Sequence, residues 1–204
     1  MKAIEVNQVS HSFDGKKVLT NINFTVKQGE VLCLMGASGV GKTTLMKILM
    51  QRLLPEHGNV TVPERASVVF QESRVLAKVS AVTNVRIALS GRGRYVTDMQ
   101  HTKNPEQSIR QELSCLLPEE VLDQPAGTLS GGMSRRMEIV RAMMADSDVI
   151  YMDEPFSGLD EQNKQIAVNY ILERKGSRPL LVITHDVKDA AALGAPIYLL
   201  TKEA

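Results

Sequence analysis

Apolar and polar positions along the chain change their rhythm from one region to the next. From Ala3 to Val9, and again over Val18-Leu19, Ile22, Phe24 and Val26, they alternate, the period-two signature of half-buried strands. Asp14-Gly15 between the two runs is a turn pair, so an antiparallel pair of strands is expected there. Gln28-Gly29 makes a second turn. Val31-Leu32-Cys33-Leu34-Met35 is then continuously apolar, as in a strand buried on both faces. A helical pattern follows through Leu45-Met46-Lys47-Ile48-Leu49-Met50 to about Leu53, where Pro55 is expected to stop it. Asn59 to Val62 and Ser67 to Phe70 read as further short strands.

From Ser80 to about Leu122 the apolar spacing becomes mostly helical, broken by Gly91-Arg92-Gly93-Arg94 and with Pro105 in a helix-opening position. From Asp148 strands and helices alternate: Val149 to Met152 as a strand, Glu161 to Glu173 as a helix, Leu180 to Ile183 as a strand, Val187 to Leu193 as a helix and Ile197 to Leu200 as a last strand. Such alternation implies a parallel sheet covered on both faces, with ligands at the carboxyl ends of its strands. The expected architecture is one α/β domain over residues 1–204. Residues 1–71 and 148–204 form an antiparallel β subdomain and a mixed, mainly parallel core, and about 72–147 form a helical insertion.

Composition changes little in this picture. With 204 residues, 43% apolar and 23% charged, the chain reads as an ordinary soluble globular protein, and its net charge of +1 gives no electrostatic case for nucleic acid or an anionic bilayer. Arg92, Arg94 and Lys103 with Tyr95 read as a solvated loop rather than a binding patch. Cys33 and Cys115 read as packed thiols in a reducing compartment. The N-terminus lacks the apolar core of a secretory signal, and no stretch approaches the roughly 18 to 20 apolar residues of a membrane span.

Candidate chemistry gathers where strands end. Gly36-Ala37-Ser38-Gly39-Val40-Gly41-Lys42-Thr43-Thr44 has the spacing G-x-x-x-x-G-K-T between a buried strand and a helix. Its glycines let successive N–H groups converge on an anion at a helix N-terminus, Lys42 can reach the outer phosphates of a nucleotide, and the Thr43 hydroxyl can ligate magnesium. Asp153-Glu154 follow an apolar strand; Asp153 suits the same metal, and Glu154 suits a general base that polarises water. The alternative is a pair of loop acids capping the next helix. Gln71 can ligate the metal or orient water, or be plain polar surface; His185 can hydrogen-bond a γ-phosphate, or be structural. Ser130-Gly131-Gly132 stand at a helix start, a second anion-binding surface, although serine there also reads as a simple N-cap.

With these motifs in this order, the chain resembles the ATP-binding cassette subunit of an ABC transporter over nearly its whole length. The resemblance assigns the Walker A loop to Gly36 through Thr44 and the Q-loop to Gln71. It assigns the signature to Leu129 through Met133, Walker B to Val149 through Glu154, the D-loop to Ser157-Gly158-Leu159-Asp160 and the switch histidine to His185. It implies a P-loop NTPase core, ATP and Mg2+ as cofactors, and hydrolysis with Glu154, His185 and Lys42 in the catalytic roles. Thr43, Gln71 and Asp153 would be metal ligands. It also implies two cassettes paired head to tail, with Ser130, Gly131 and Gly132 acting in trans on the other subunit's nucleotide. Phe13 matches the family's adenine-stacking aromatic, or is a core phenylalanine. Met133 replaces the glutamine common after the signature glycines.

Val68 through Leu76, followed by Thr83-Asn84-Val85, is similar to importer cassettes of the nitrate, sulfonate and taurine branch. That similarity implies transmembrane permease subunits docking around Gln71 to Val85, a solute-binding protein outside the cytoplasm, and a peripheral place on the cytoplasmic face of the membrane. The added C-terminal regulatory domain that some importer cassettes carry is not expected here. The competing reading is a mechanical ATPase of the same superfamily, whose usual paired cassettes or long coiled-coil insertion this sequence lacks. A regulatory module that binds nucleotide without turnover is a third, and Glu154 and His185 argue against it.

Overall fold

The computed structural model describes residues 3–90 and 104–201; the expected loop with Arg92, Arg94, Tyr95 and Lys103 lies outside them. Strands β1 (Ile4–Phe13) and β2 (Lys16–Val26) form the expected antiparallel hairpin, closing on the pair Phe13↔Lys16. Asp14 and Gly15 both take left-handed backbone, φ 49° and 75°, the requirement of a two-residue primed turn. After β3 (Val31–Met35), β4 (His57–Thr61) pairs with the other edge of β1 and completes a three-stranded antiparallel sheet.

A second sheet contains β3, β5 (Ala66–Val69), β6 (Val149–Asp153), β7 (Leu180–Ile183) and β8 (Ile197–Leu199) in the order β5-β6-β7-β3-β8, every neighbouring pair parallel. Its inner strands are apolar up to the Asp153 that ends β6, because both faces are covered. Alternate side chains go to opposite sides. Cys33, Ile150, Met152, Leu180 and Val182 join a cluster with the helices of one face. Leu32, Leu34, Val149, Tyr151, Leu181 and Ile183 join a separate cluster with the hairpin and α1 (Lys42–Leu49) on the other. Each fully buried aliphatic side chain stabilises the fold by about 1.5–3 kcal/mol before ordering entropy is set against it.

The first face carries α2 (Ala81–Ser90), α3 (Pro105–Ser114), α4 (Gly131–Met144), α5 (Glu161–Arg174) and α6 (Val187–Ala192). Pro105 opens α3 behind an Asn104 cap that accepts from the Gln107 N–H, as the sequence leads one to expect.

Two expectations need correction. Helix α1 ends at Leu49, four residues short of Leu53, and Pro55 plays no part in stopping it. Gln51 adopts φ 56°, and the N–H groups of Gln51 and Arg52 turn back to Ile48 O (2.9 Å) and Lys47 O (2.8 Å). This double bond pattern around a left-handed residue closes a helix end from within. Cys115 is exposed rather than packed, since it caps α3 just before the buried pair Leu116-Leu117. Cys33 is packed as expected, and burial pushes its thiol up to about 12.

Candidate functional site

Strand register brings the chemistry together. The pairs Val69↔Met152, Asp153↔Ile183 and Leu34↔Ile183 set the carboxyl ends of β5, β6, β7 and β3 side by side. Gln71, Asp153-Glu154, Thr184-His185 and the loop from Gly36 therefore leave the sheet along one edge. They surround a cavity of about 390 Å³. The loop contributes Gly36, Ser38, Gly39 and Gly41, α1 contributes Lys42, Thr43 and Thr44, and Gln71, Asp153, Glu154 and His185 close the remaining sides.

The loop is pressed against its surroundings. Gly41 sits at φ 112°, and a Cβ there would lie 2.8 Å from Val18 O and 2.9 Å from Leu19 Cδ2. Only glycine tolerates both the backbone and the contact. The same approach brings Val18 of β2 into the cavity wall, a residue that sequence reasoning missed; a periodic apolar position in a hairpin gives no sign of it. The Lys42 ammonium donates to Gly36 O (2.6 Å) and Ala37 O (3.0 Å), which uses two of its three donors and holds the loop closed from below. Ala37 and Val40 turn away from this cavity to line a smaller one with Leu199 and Leu200.

The two acids have different surroundings. Asp153 ends β6, and its carboxyl is raised above the usual range by burial first and by the charge of Glu154 second, with Lys42 and Arg135 acting the other way. Glu154 takes left-handed backbone, φ 49°, a conformation that costs a non-glycine residue on the order of 1–3 kcal/mol. Its N–H is tied to Ile183 O at 2.9 Å. That bend turns its carboxylate toward His185, whose Nδ1 lies 2.9 Å from Glu154 Oε1. The hydrogen bond, then the charge of Glu154, raises the imidazole pKa although the ring is exposed.

Other sequence candidates lie elsewhere. Among the described residues the cavity lining does not include Phe13, Ser130, Gly131, Gly132 or Asp160. Phe13 is 47% exposed near the hairpin tip, edge-on to His11 with ring centroids 4.7 Å apart, so it is not a core phenylalanine. Ser130 caps α4 by accepting from Met133 N at 3.2 Å, and Ser130 and Gly131 are exposed. A Cβ on Gly132 would stand 3.0 Å from Gly158 O, so this helix start and the 157–160 loop abut. Asp160 caps α5, accepting from Asn163 N (2.8 Å), which holds its carboxyl below the usual range. Asn163 Oδ1 in turn accepts from Arg136 of α4 at 2.7 Å.

Magnesium fits the donors present. Thr43 and Gln71 are exposed on the cavity wall beside Asp153, a set of hard oxygen donors with a single carboxylate. That composition suits an ion that takes its remaining ligands from phosphate and water.

A sequence family described as ABC transporter matches residues 19–157. The aliphatic sulfonates import ATP-binding protein of Nocardia farcinica is 31% identical over 98% of this chain and 78% of its own length. The intermembrane phospholipid transport system ATP-binding protein of Haemophilus influenzae is 29% identical over 98% of this chain and 81% of its own. In fold, the chain is similar to a dimeric ATP-binding cassette solved in a post-hydrolysis state with ADP and Pi. That likeness has a TM-score of 0.81 at 22% identity and covers 97% of this chain and 94% of that one.

Proposed function

We propose, from the premise that this chain belongs to the ABC transporter family of ATP-binding cassettes, that it binds and hydrolyses ATP to drive solute import through a transmembrane permease. The observation that carries the reading is the single cavity shared by the glycine loop, Lys42, Asp153, Glu154, Gln71 and His185. We read residues 1–204 as one such domain, with the helical insertion over about 72–147.

In this reading the loop amides and Lys42 hold the β- and γ-phosphates, Phe13 offers an exposed ring face to the adenine, and Thr43, Gln71 and Asp153 hold Mg2+. The ion supplies charge neutralisation on the phosphate oxygens. Glu154 takes a proton from the attacking water, and the strained bend at this residue fixes its carboxylate at the cavity wall. His185 is within reach of both Glu154 and the cavity, so it serves to orient the base and to hydrogen-bond the terminal phosphate.

Ser130, Gly131 and Gly132 do not line their own cavity, which supports a partnership in which a second cassette supplies these groups to the first, with Asp160 at the seam. The permease would dock in the groove between β5 and the helices, where Arg52, Phe70, Arg74, Ala88 and Arg141 form the walls. No helix among the described residues is long and apolar enough to cross a membrane. Attachment on the cytoplasmic face through permease subunits fits that. The sulfonate importers among the relatives support a small anionic or organic solute, and we infer that a solute-binding protein delivers it.

The decisive experiment is ATP turnover by Glu154→Gln. The variant should bind ATP yet hydrolyse it at least tenfold more slowly, about 1.4 kcal/mol or more of barrier. Unchanged turnover would remove Glu154 as the base.

A further inference from the structure

Gln71 lines the phosphate cavity, but its backbone is held from another part of the molecule. Arg135, in the second turn of α4 and only 7% exposed, sends its two terminal nitrogens to Phe70 O and Gln71 O. Its Nη1 also lies 3.4 Å from Glu138 Oε2, and Glu138 is 1% exposed. Glu138 Oε1 accepts from the Arg74 N–H at 2.6 Å, and Arg141 donates to Arg74 O at 2.7 Å while its Nη2 stands 3.4 Å from Glu138. Backbone groups at both ends of the 70–74 segment are thus bound by side chains of one helix. The Arg74 guanidinium lies 3.9 Å from the Phe70 ring centroid and stiffens the segment further.

A buried acid and arginines in an otherwise apolar stretch of helix demand this degree of pairing, because an unpartnered buried charge costs several kcal/mol. Stability alone does not explain the choice of partners. The same helix begins at Ser130-Gly131-Gly132, so its N-terminus is the surface offered to a second cassette in the function proposed above. A guanidinium forked across two consecutive carbonyls fixes both position and orientation of the peptide it holds. We propose that Arg135 and Glu138 are positioning residues that make Gln71 travel with the signature helix, so that engagement of the 130–132 surface is read at the γ-phosphate end of the cavity. The proposal rests on the reading of that cavity as the ATP site.

The test is a double-mutant cycle in the full chain with Mg2+ and ATP, on Arg135→Gln or Arg135→Lys, Gln71→Ala and their combinations. Arg135→Gln should lower kcat at least tenfold while KM for ATP stays within about threefold, because the glycine loop and Lys42 are untouched. In the Gln71→Ala background Arg135→Lys, which keeps the charge that acts on Asp153, should cost little more, since the fork of Arg135 acts through Gln71. Hydrogen exchange gives a readout independent of turnover: Arg135→Gln should speed exchange of the amides over 71–74. If Arg135→Gln does not fold, Arg135→Lys carries the same cycle, because it keeps a charge beside Glu138 but cannot span both carbonyls. An unchanged kcat, an equal loss with and without Gln71, or unaltered exchange overturns the coupling. Absence of ATP hydrolysis by the unmodified chain overturns the site reading itself.

Discussion

Gly41→Ala tests how the phosphate loop is held. At φ 112° an alanine costs on the order of 1–3 kcal/mol in backbone strain. The added methyl would sit 2.8 Å from Val18 O, a backbone atom in a paired strand, and 2.9 Å from Leu19 Cδ2, where Leu19 is 2% exposed. Neither neighbour moves cheaply, so overpacking adds about 1–3 kcal/mol. The combined loss of roughly 2–6 kcal/mol corresponds to a fall in Tm of roughly 4 to 24 °C for a domain of this size. Gly39→Ala is the control. It shares the loop and a positive φ of 72°, but a Cβ there meets no atom within 4 Å, leaving only the backbone cost of about 1–2 kcal/mol. Urea unfolding of the two variants without nucleotide, analysed with a common m-value, isolates the close approach as their difference. If Gly41→Ala is no less stable than Gly39→Ala, the loop is not seated on β2 and the argument for its fixed shape fails.

Other consequences are more local. Lys42→Ala removes charge-assisted contacts worth about 1.5–3 kcal/mol, so ATP binding measured by calorimetry should weaken roughly ten- to hundredfold; near-native affinity would contradict the assignment. Ser130→Arg, at an exposed helix start, should leave the monomer folded by circular dichroism but block ATP-driven dimerisation on a sizing column, and normal dimers would exclude the role in trans. His185→Gln should alter the pH dependence of stability. Because the folded-state pKa of His185 is raised by Glu154, the pair stabilises the fold fully below the unfolded histidine value and loses that contribution as pH rises through the folded one. The Tm gap between the unmodified chain and the variant should thus be small, given the exposed ring, larger near pH 5.5 and absent near pH 8.5; a gap that grows with pH would reverse the sign argued here.

Much of this arrangement is legible in the sequence because it is written in period and punctuation. Continuous apolar runs end at Met35, Met152 and Ile183, and each is followed within two residues by one that lines the cavity. What the sequence hides is set by long-range contact. Nothing in His57 to Val69 says that β4 joins the hairpin while β5, a few residues later, edges the other sheet; that depends on which partner strand has a free edge. The left-handed turns at Gln51 and Glu154 are carried by residues with no preference for them, imposed by bonds to Lys47, Ile48 and Ile183. In the sequence Arg135 is indistinguishable from any polar helix position. Its one local signal is Glu138 a turn later, amid Met137, Ile139 and Val140, which a reader of the pattern takes for surface.

The division of the interior into two clusters by the parallel sheet limits how far a substitution is felt. The hairpin, α1 and half of each inner strand form one packing problem, and the helices with the other half form a second. Apart from the Arg135 contacts, a substitution that reshapes the helical side meets the phosphate loop through the backbone of the sheet. Packing changes on the helical face are therefore expected to leave the nucleotide machinery largely undisturbed. The Arg135–Glu138 link to Gln71 is a thread across that partition, and it marks where such changes reach the cavity.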